Sequence, residues 1–183
     1  MVLNKTLQII NNKQYVKKQV QILCNIYQLP CVNIKYASLR KADAIAELEN
    51  NTIVFNIDLL SGDGIYEYLN TQDIMIVLKS TIFHEIEHLK QYYEHIKTLK
   101  NPTGLGSNNL IIKNKTNYPY QYMSLYIKGS QNNFLRAVYI LQPNEYQAFQ
   151  KGIVALKESL QESETEKFKN RLCIIDNAIS FLR

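Results

Sequence analysis

His84, Glu85 and His88 stand in Thr81-Ile82-Phe83-His84-Glu85-Ile86-Glu87-His88-Leu89, a His-Glu-x-x-His spacing inside a run of helical periodicity. On an α-helix, residues four apart are separated by about 400° of rotation and about 6 Å of rise, so the two imidazoles project from one face, one turn apart. Histidines so placed can meet a single tetrahedral Zn²⁺. Glu85 is turned about 100° from His84, which takes it out of the ligand set but leaves its carboxylate able to reach a water on the same ion and act as its base. With 3 His and 11 Glu in the chain, composition alone yields about 0.003 chance occurrences of the pattern.

A catalytic zinc needs three protein ligands and one open position. His95 lies eleven residues beyond His84 and so on nearly the same helix face, but it is about 10.5 Å along the axis from His88. No Gly follows His88 at the spacing that would let the chain turn back towards the ion. Glu145 is the better candidate. Pro143 suits the first turn of a new helix, Glu145 falls in that turn, and Ala148 one turn later is small enough to let the helix approach a neighbour closely. Acidic residues are favoured at helix N-termini for other reasons, so Glu94, Glu158 and Glu162 remain as alternatives.

Such residues need a folded frame, and the composition provides for one. A hydrophobic fraction of 46% and a charged fraction of 20% are those of a globular chain, and 183 residues suit one domain, read as residues 1–183. No segment approaches 18 uncharged apolar residues and the N-terminus lacks a signal-peptide pattern, so the chain is expected to be cytoplasmic, with no membrane partner. Cys24, Cys31 and Cys173 are odd in number and lack metal-type spacing, which reads as buried reduced thiols. The net charge of +5 is spread over single lysines and short pairs, without a basic block interleaved with aromatics, so a nucleic-acid partner is not expected.

The periodicity then places the elements. Leu3, Leu7, Ile10, Val16, Val20, Leu23 and Ile26 predict an amphipathic helix ended by Pro30. Val32–Tyr36, Ala44–Glu49 and Thr52–Ile57 predict three strands of a small antiparallel sheet, the last two flanking Asn50-Asn51. A polar cap at Asn70-Thr71 with Asp73 opens the helix that carries the histidines, about 28 residues and about 42 Å long, until Asn101-Pro102. Asn101–Asn117 predicts an exposed loop that holds Leu110-Ile111-Ile112. Helices follow at Asn133–Leu141 and at about Asn144–Leu160. Glu166–Arg183 predicts a last helix, with a stripe of Phe168, Leu172, Ile175, Ile179 and Leu182 packing on the domain's own core.

His84-Glu85-Ile86-Glu87-His88, followed by Glu145 and Ala148 in a downstream helix, resembles the gluzincin class of zinc metallopeptidases. The order of helix, small sheet, histidine helix and glutamate helix is similar to compact single-domain members, including ImmA/IrrE-like and phage-associated forms. The resemblance covers about residues 32–152 and leaves 163–183 as a C-terminal packing helix. It implies an α+β, minimal zincin-like domain: a small antiparallel sheet packed on a long His-Glu-x-x-His helix, with further C-terminal helices. The function it implies is hydrolysis of a peptide bond in a peptide or protein substrate, with Zn²⁺ on His84, His88 and Glu145 and a zinc-bound water activated by Glu85. Tyr126, Tyr139 and His95 are the candidates to stabilise the oxyanion. Glu87 and Lys90 depart from the uncharged surroundings usual in that class, and Glu87 is expected either to face solvent or to hold a neighbouring cation. Two other readings stand beside this one. The first is a non-catalytic, zinc-stabilised interaction module that docks a partner through the tyrosine-rich segment 118–126. The second is a metal-dependent hydrolase of a non-peptide amide.

Overall fold

The computed structural model of the chain describes residues 2–39, 42–100 and 133–182. The first helix, α1 (Val2–Ile26), ends before Pro30, where Gln28 takes a left-handed backbone with φ 54°. Val16, Val20, Leu23 and Cys24 are buried, whereas Leu7, Ile10 and Ile26 are exposed. The apolar stripe is therefore shorter than its sequence suggests, because Leu7 and Ile10 sit about 120° to 180° round the helix from Val16. Asn12 occupies the buried face instead and donates from Nδ2 to the Leu60 carbonyl at 2.8 Å.

Three strands follow: β1 (Asn33–Ala37), β2 (Ala44–Glu47) and β3 (Thr52–Asn56). β2 and β3 form the expected antiparallel hairpin, with Asn51 at φ 47° in its turn. β1, however, pairs with β3 in parallel, and the order is β1-β3-β2. The wholly antiparallel sheet is thus corrected to a mixed one. Alternation of side chains reports which faces are buried, not which way a neighbour runs. β3 is buried at every residue, as a central strand must be, and residues 38–51 provide the length that a parallel return requires. The return is pinned by Asn56, whose Nδ2 donates to the Leu39 and Ala42 carbonyls and whose Oδ1 accepts from the Leu39 and Asp58 amides. A short helix, α2 (Ile57–Ser61), starts there.

The central helix, α3 (Thr71–Lys100), begins at the expected cap. Asn70 Oδ1 accepts from the Asp73 amide at 2.9 Å and Asp73 Oδ2 accepts from the Asn70 amide at 2.8 Å, so two otherwise unpaired donors are satisfied reciprocally. Ile74, Leu78, Ile82, Ile86 and Leu89 are fully or almost fully buried in one cluster with Val16 and Val20 of α1 and Ile53 and Phe55 of β3. The helix that carries the histidines is thereby clamped from the sheet side over most of its length.

Beyond it lie α4 (Asn133–Ile140) and α5 (Pro143–Lys157), close to their expected bounds. Pro143 forces Gln142 into an extended conformation, φ −64° and ψ 143°, and opens α5 at its first position. The predicted single helix over Glu166–Arg183 is instead broken into a 3-10 turn (Glu166–Phe168), α6 (Lys169–Leu172) and α7 (Ile174–Leu182). Its residues serve two masters. Phe168 is buried in the main cluster and Arg171 pairs with Asp43, whereas Ile175 and Ala178 join Ala137 and Ile140 of α4 in a second, smaller cluster. A straight helix could not reach both, and the breaks fall at Phe168 and Cys173. Phe168, Leu172, Ile175 and Ile179 of the stripe pack on the chain's own two clusters, as expected, whereas Leu182 is exposed.

Among the cysteines only Cys24 is buried; Cys31 is exposed in the loop after Pro30 and Cys173 is half-buried, and all three are free thiols. This corrects the expectation of three buried thiols. No described helix is long and apolar enough to cross a membrane. The predicted loop Asn101–Asn117 and the tyrosine-rich segment 118–126, Tyr126 included, lie outside the described residues.

Candidate metal centre

α5 lies along α3, with small and polar residues at the closest approach and the Phe149 ring edge-on to His84. Ala148 and Ala155 are buried, and Gly152 is placed so that a Cβ there would lie 3.1 Å from the Ser80 carbonyl, 3.2 Å from its Oγ and 3.5 Å from the Cβ of His84. Ser80 uses this closeness to donate from Oγ to the Gly152 carbonyl at 2.8 Å. The helices therefore meet almost backbone to backbone, which the expected close approach at Ala148 requires. Glu145, one turn before Ala148, is thereby carried onto the histidine face of α3.

The three expected ligands converge. His84 Nε2 and His88 Nε2 are 3.1 Å apart, and Glu145 Oε2 lies 3.7 Å from the first and 3.4 Å from the second. These three edges have a mean of about 3.4 Å, and bonds of about 2.1 Å at tetrahedral angles require edges of about 3.4 Å. Among the described residues this is the one His, Cys, Asp or Glu group in which three ligand atoms all lie within 4.8 Å of one another. The alternatives are elsewhere: Glu94 and Glu158 are exposed and face Lys90 and Lys79, Glu162 is exposed, and His95 stands outside the converging group.

His88 Nε2 and Glu145 Oε2, 3.4 Å apart, interact directly, and the other partners of the two rings lie outward. The His84 ring donates to the Ala148 carbonyl of α5, and the His88 ring donates to the side chain of Gln91. The Tyr139 hydroxyl donates to the Glu145 carboxylate, yet Glu145 Oε2 is buried and accepts no well-formed hydrogen bond. Three ligand-type atoms thus meet in a half-buried hollow that could hold a cation, with a proton shared between His88 and Glu145 as the alternative. Electrostatics agree. Burial and the neighbouring His88 ring push His84 down to about 3. At His88 burial works in the same direction but the Glu145 carboxylate outweighs it, holding that ring above the usual histidine range. Burial would raise Glu145, but the two rings hold it below the usual carboxylate range. One positive charge belongs between Glu145 and the rings, and an ion can supply it as well as a proton can.

Glu85 sits beside this group, buried, and burial pushes its carboxyl up to about 7. His88 opposes that shift and Glu145 adds to it, which puts the carboxylate within electrostatic reach of both ligands. The main-chain N–H of Ala46 in β2 donates to it. Glu87 is also buried, with Lys90 Nζ at 3.2 Å and that ammonium over the Tyr27 ring. Of the two expectations for Glu87, the neighbouring cation holds and the solvent-facing position does not. A surface groove of about 440 Å³ between α5 and the C-terminal helices, lined by Tyr146, Ile153 and Leu172, does not touch the ligands.

No family model matches the chain, and no curated protein or solved structure is significantly similar to it. The site is therefore read from its own geometry. Tyr139, a candidate for the oxyanion, lies against Glu145. Gly152 and Gln91 were not singled out by spacing, although a glycine one turn after Ala148 on the same helix face is a signal that could have been used.

Proposed function

We propose that the chain is a zinc-dependent peptidase of gluzincin type, with His84, His88 and Glu145 as the metal ligands and Glu85 as the base. The observation that carries the reading is Glu145 Oε2, a buried and unsatisfied carboxylate oxygen aimed at two histidine nitrogens 3.4 and 3.7 Å away. Zinc bound there would supply a Lewis acid that polarises a carbonyl and acidifies water.

The chain's own groups supply the rest. Ala148 and Gln91 hold the proton on the outward nitrogen of each ring, and Tyr139 orients Glu145. Glu85, with its carboxyl near neutrality, takes the proton from the attacking water and returns it to the departing amine. A structural zinc site needs no such carboxylate, which favours the enzyme over the interaction module. The peptide as substrate is supported by β2: among the described residues it is an edge strand, and its Ala46 already reaches Glu85, so an extended chain laid along that edge would pass the base.

The test compares His84→Ala and Glu85→Gln by zinc content and by hydrolysis of a mixed-sequence fluorogenic peptide library. His84→Ala should lose stoichiometric zinc, and Glu85→Gln should keep it while turnover falls by about 10²- to 10⁴-fold. Equal loss of zinc in the two variants would overturn the division of roles.

A further inference from the structure

Gln91 stands one turn beyond His88 on α3, and its carboxamide engages both helices of the site. Its oxygen accepts from the His88 ring, while its Nε2 donates to the Asn144 carbonyl at 3.3 Å and to Gln147 Oε1 at 3.1 Å. Asn144 and Gln147 lie on either side of Glu145 in the first turns of α5. We propose that Gln91 is a positioning residue of the metal centre, whose one carboxamide fixes the ring of the second histidine ligand and docks the helix start that carries the glutamate ligand. The inference rests on the metal reading above.

The argument is one of degrees of freedom. Two ligands come from α3 and the third from α5, so their separation depends on how α5 sits along α3. Gly152 and Ser80 fix that contact two turns further along, at 2.8 Å, and leave the N-terminal turn of α5 to be held by something else. Among the described residues, two hydrogen bonds tie Asn144 and Gln147 to α3, and both come from Gln91 Nε2. A neutral imidazole also has two tautomers, and an acceptor at one ring nitrogen keeps the proton there and the other lone pair free. His84 obtains this from the Ala148 carbonyl, a main-chain group of α5; His88 obtains it from Gln91. Each helix thus orients a histidine or a turn that the other depends on.

Zinc titrated against a chelator into wild type, Gln91→Leu and Gln91→Glu tests this, with Co²⁺ absorption spectra and thermal melts of the metal-free proteins alongside. Gln91→Leu removes acceptor and donor together and should weaken zinc binding by about 10- to 100-fold and change the visible Co²⁺ bands. Gln91→Glu has nearly the same shape and keeps the acceptor for His88 but loses the donor to Asn144, so its affinity should fall between the other two, and it can be measured even if Gln91→Leu does not fold. Wild-type affinity and spectrum in both variants, with or without a lower melting temperature, would make Gln91 a simple tie between helices and overturn the inference alone. Wild-type protein that takes up no zinc would overturn the metal reading, and the inference with it.

Discussion

On one side of α3, Ile74, Leu78, Ile82, Ile86 and Leu89 recur at three- and four-residue spacing and disappear into an aliphatic cluster with α1 and β3. On the opposite side, Ser80, His84, His88 and Gln91 recur at the same spacing and meet Ala148, Gly152 and Glu145 of α5. The first face is stabilised by bulk removed from water, whereas the small residues of the second let two backbones close on a set of polar groups, among which Glu145 Oε2 is left without a hydrogen bond. One helix therefore separates the two tasks: its sheet side holds the domain together, and its α5 side holds a site. Substitutions on the two faces should fail in different ways, and that difference can be measured.

The largest effect on folding is expected on the sheet side. Ile82→Ala removes a fully buried side chain and should cost about 2–5 kcal/mol in denaturant unfolding, while zinc affinity stays where it was, because Ile82 lies on the face opposite the ligands. A parallel loss of zinc affinity would mean that the two faces are not separable. A smaller effect on folding, with a larger one on the metal, is expected at Gly152→Ala. The added methyl meets Ser80 at 3.1 Å and should cost about 1–3 kcal/mol of overpacking, of which alanine recovers about 1 kcal/mol as helix propensity, leaving a net loss of about 0–2 kcal/mol. Zinc affinity is the sharper readout, since α5 must move outward and carries Glu145 with it. Unchanged affinity would show that the α3–α5 contact has slack to give.

How much of this was legible in the sequence differs from residue to residue. His84 and His88 were, because the helical period alone puts residues four apart on one face. Glu145 was legible through its neighbours: Pro143 fixes where α5 begins, and the helix start then fixes which residue falls in the first turn. The parallel pairing of β1 was not, since the alternation in Asn33–Ala37 is the same for either direction. Nor was the break in the C-terminal segment, which depends on Arg171 reaching Asp43 with 2.5 Å between Nη1 and Oδ2, a pairing between residues far apart in the chain. Gln91, and the hydrogen bond of Tyr139 to Glu145, escaped for a related reason. Both depend on a partner on another helix, and one-dimensional spacing carries no record of partners in space.

The account depends most directly on Glu145, which separates a zinc centre from two histidines that happen to share a helix face. Zinc should be titrated against a chelator into wild type and Glu145→Ala at fixed pH. If the carboxylate is a ligand, the variant should bind at least about tenfold more weakly, and unfolding of the metal-free protein should shift by no more than about 1 kcal/mol, the scale of a first-turn acid on its helix. Equal zinc affinity in the two proteins would contradict the account, for it would leave Glu145 as an ordinary helix-start acid and the convergence of its Oε2 on the histidines without a function.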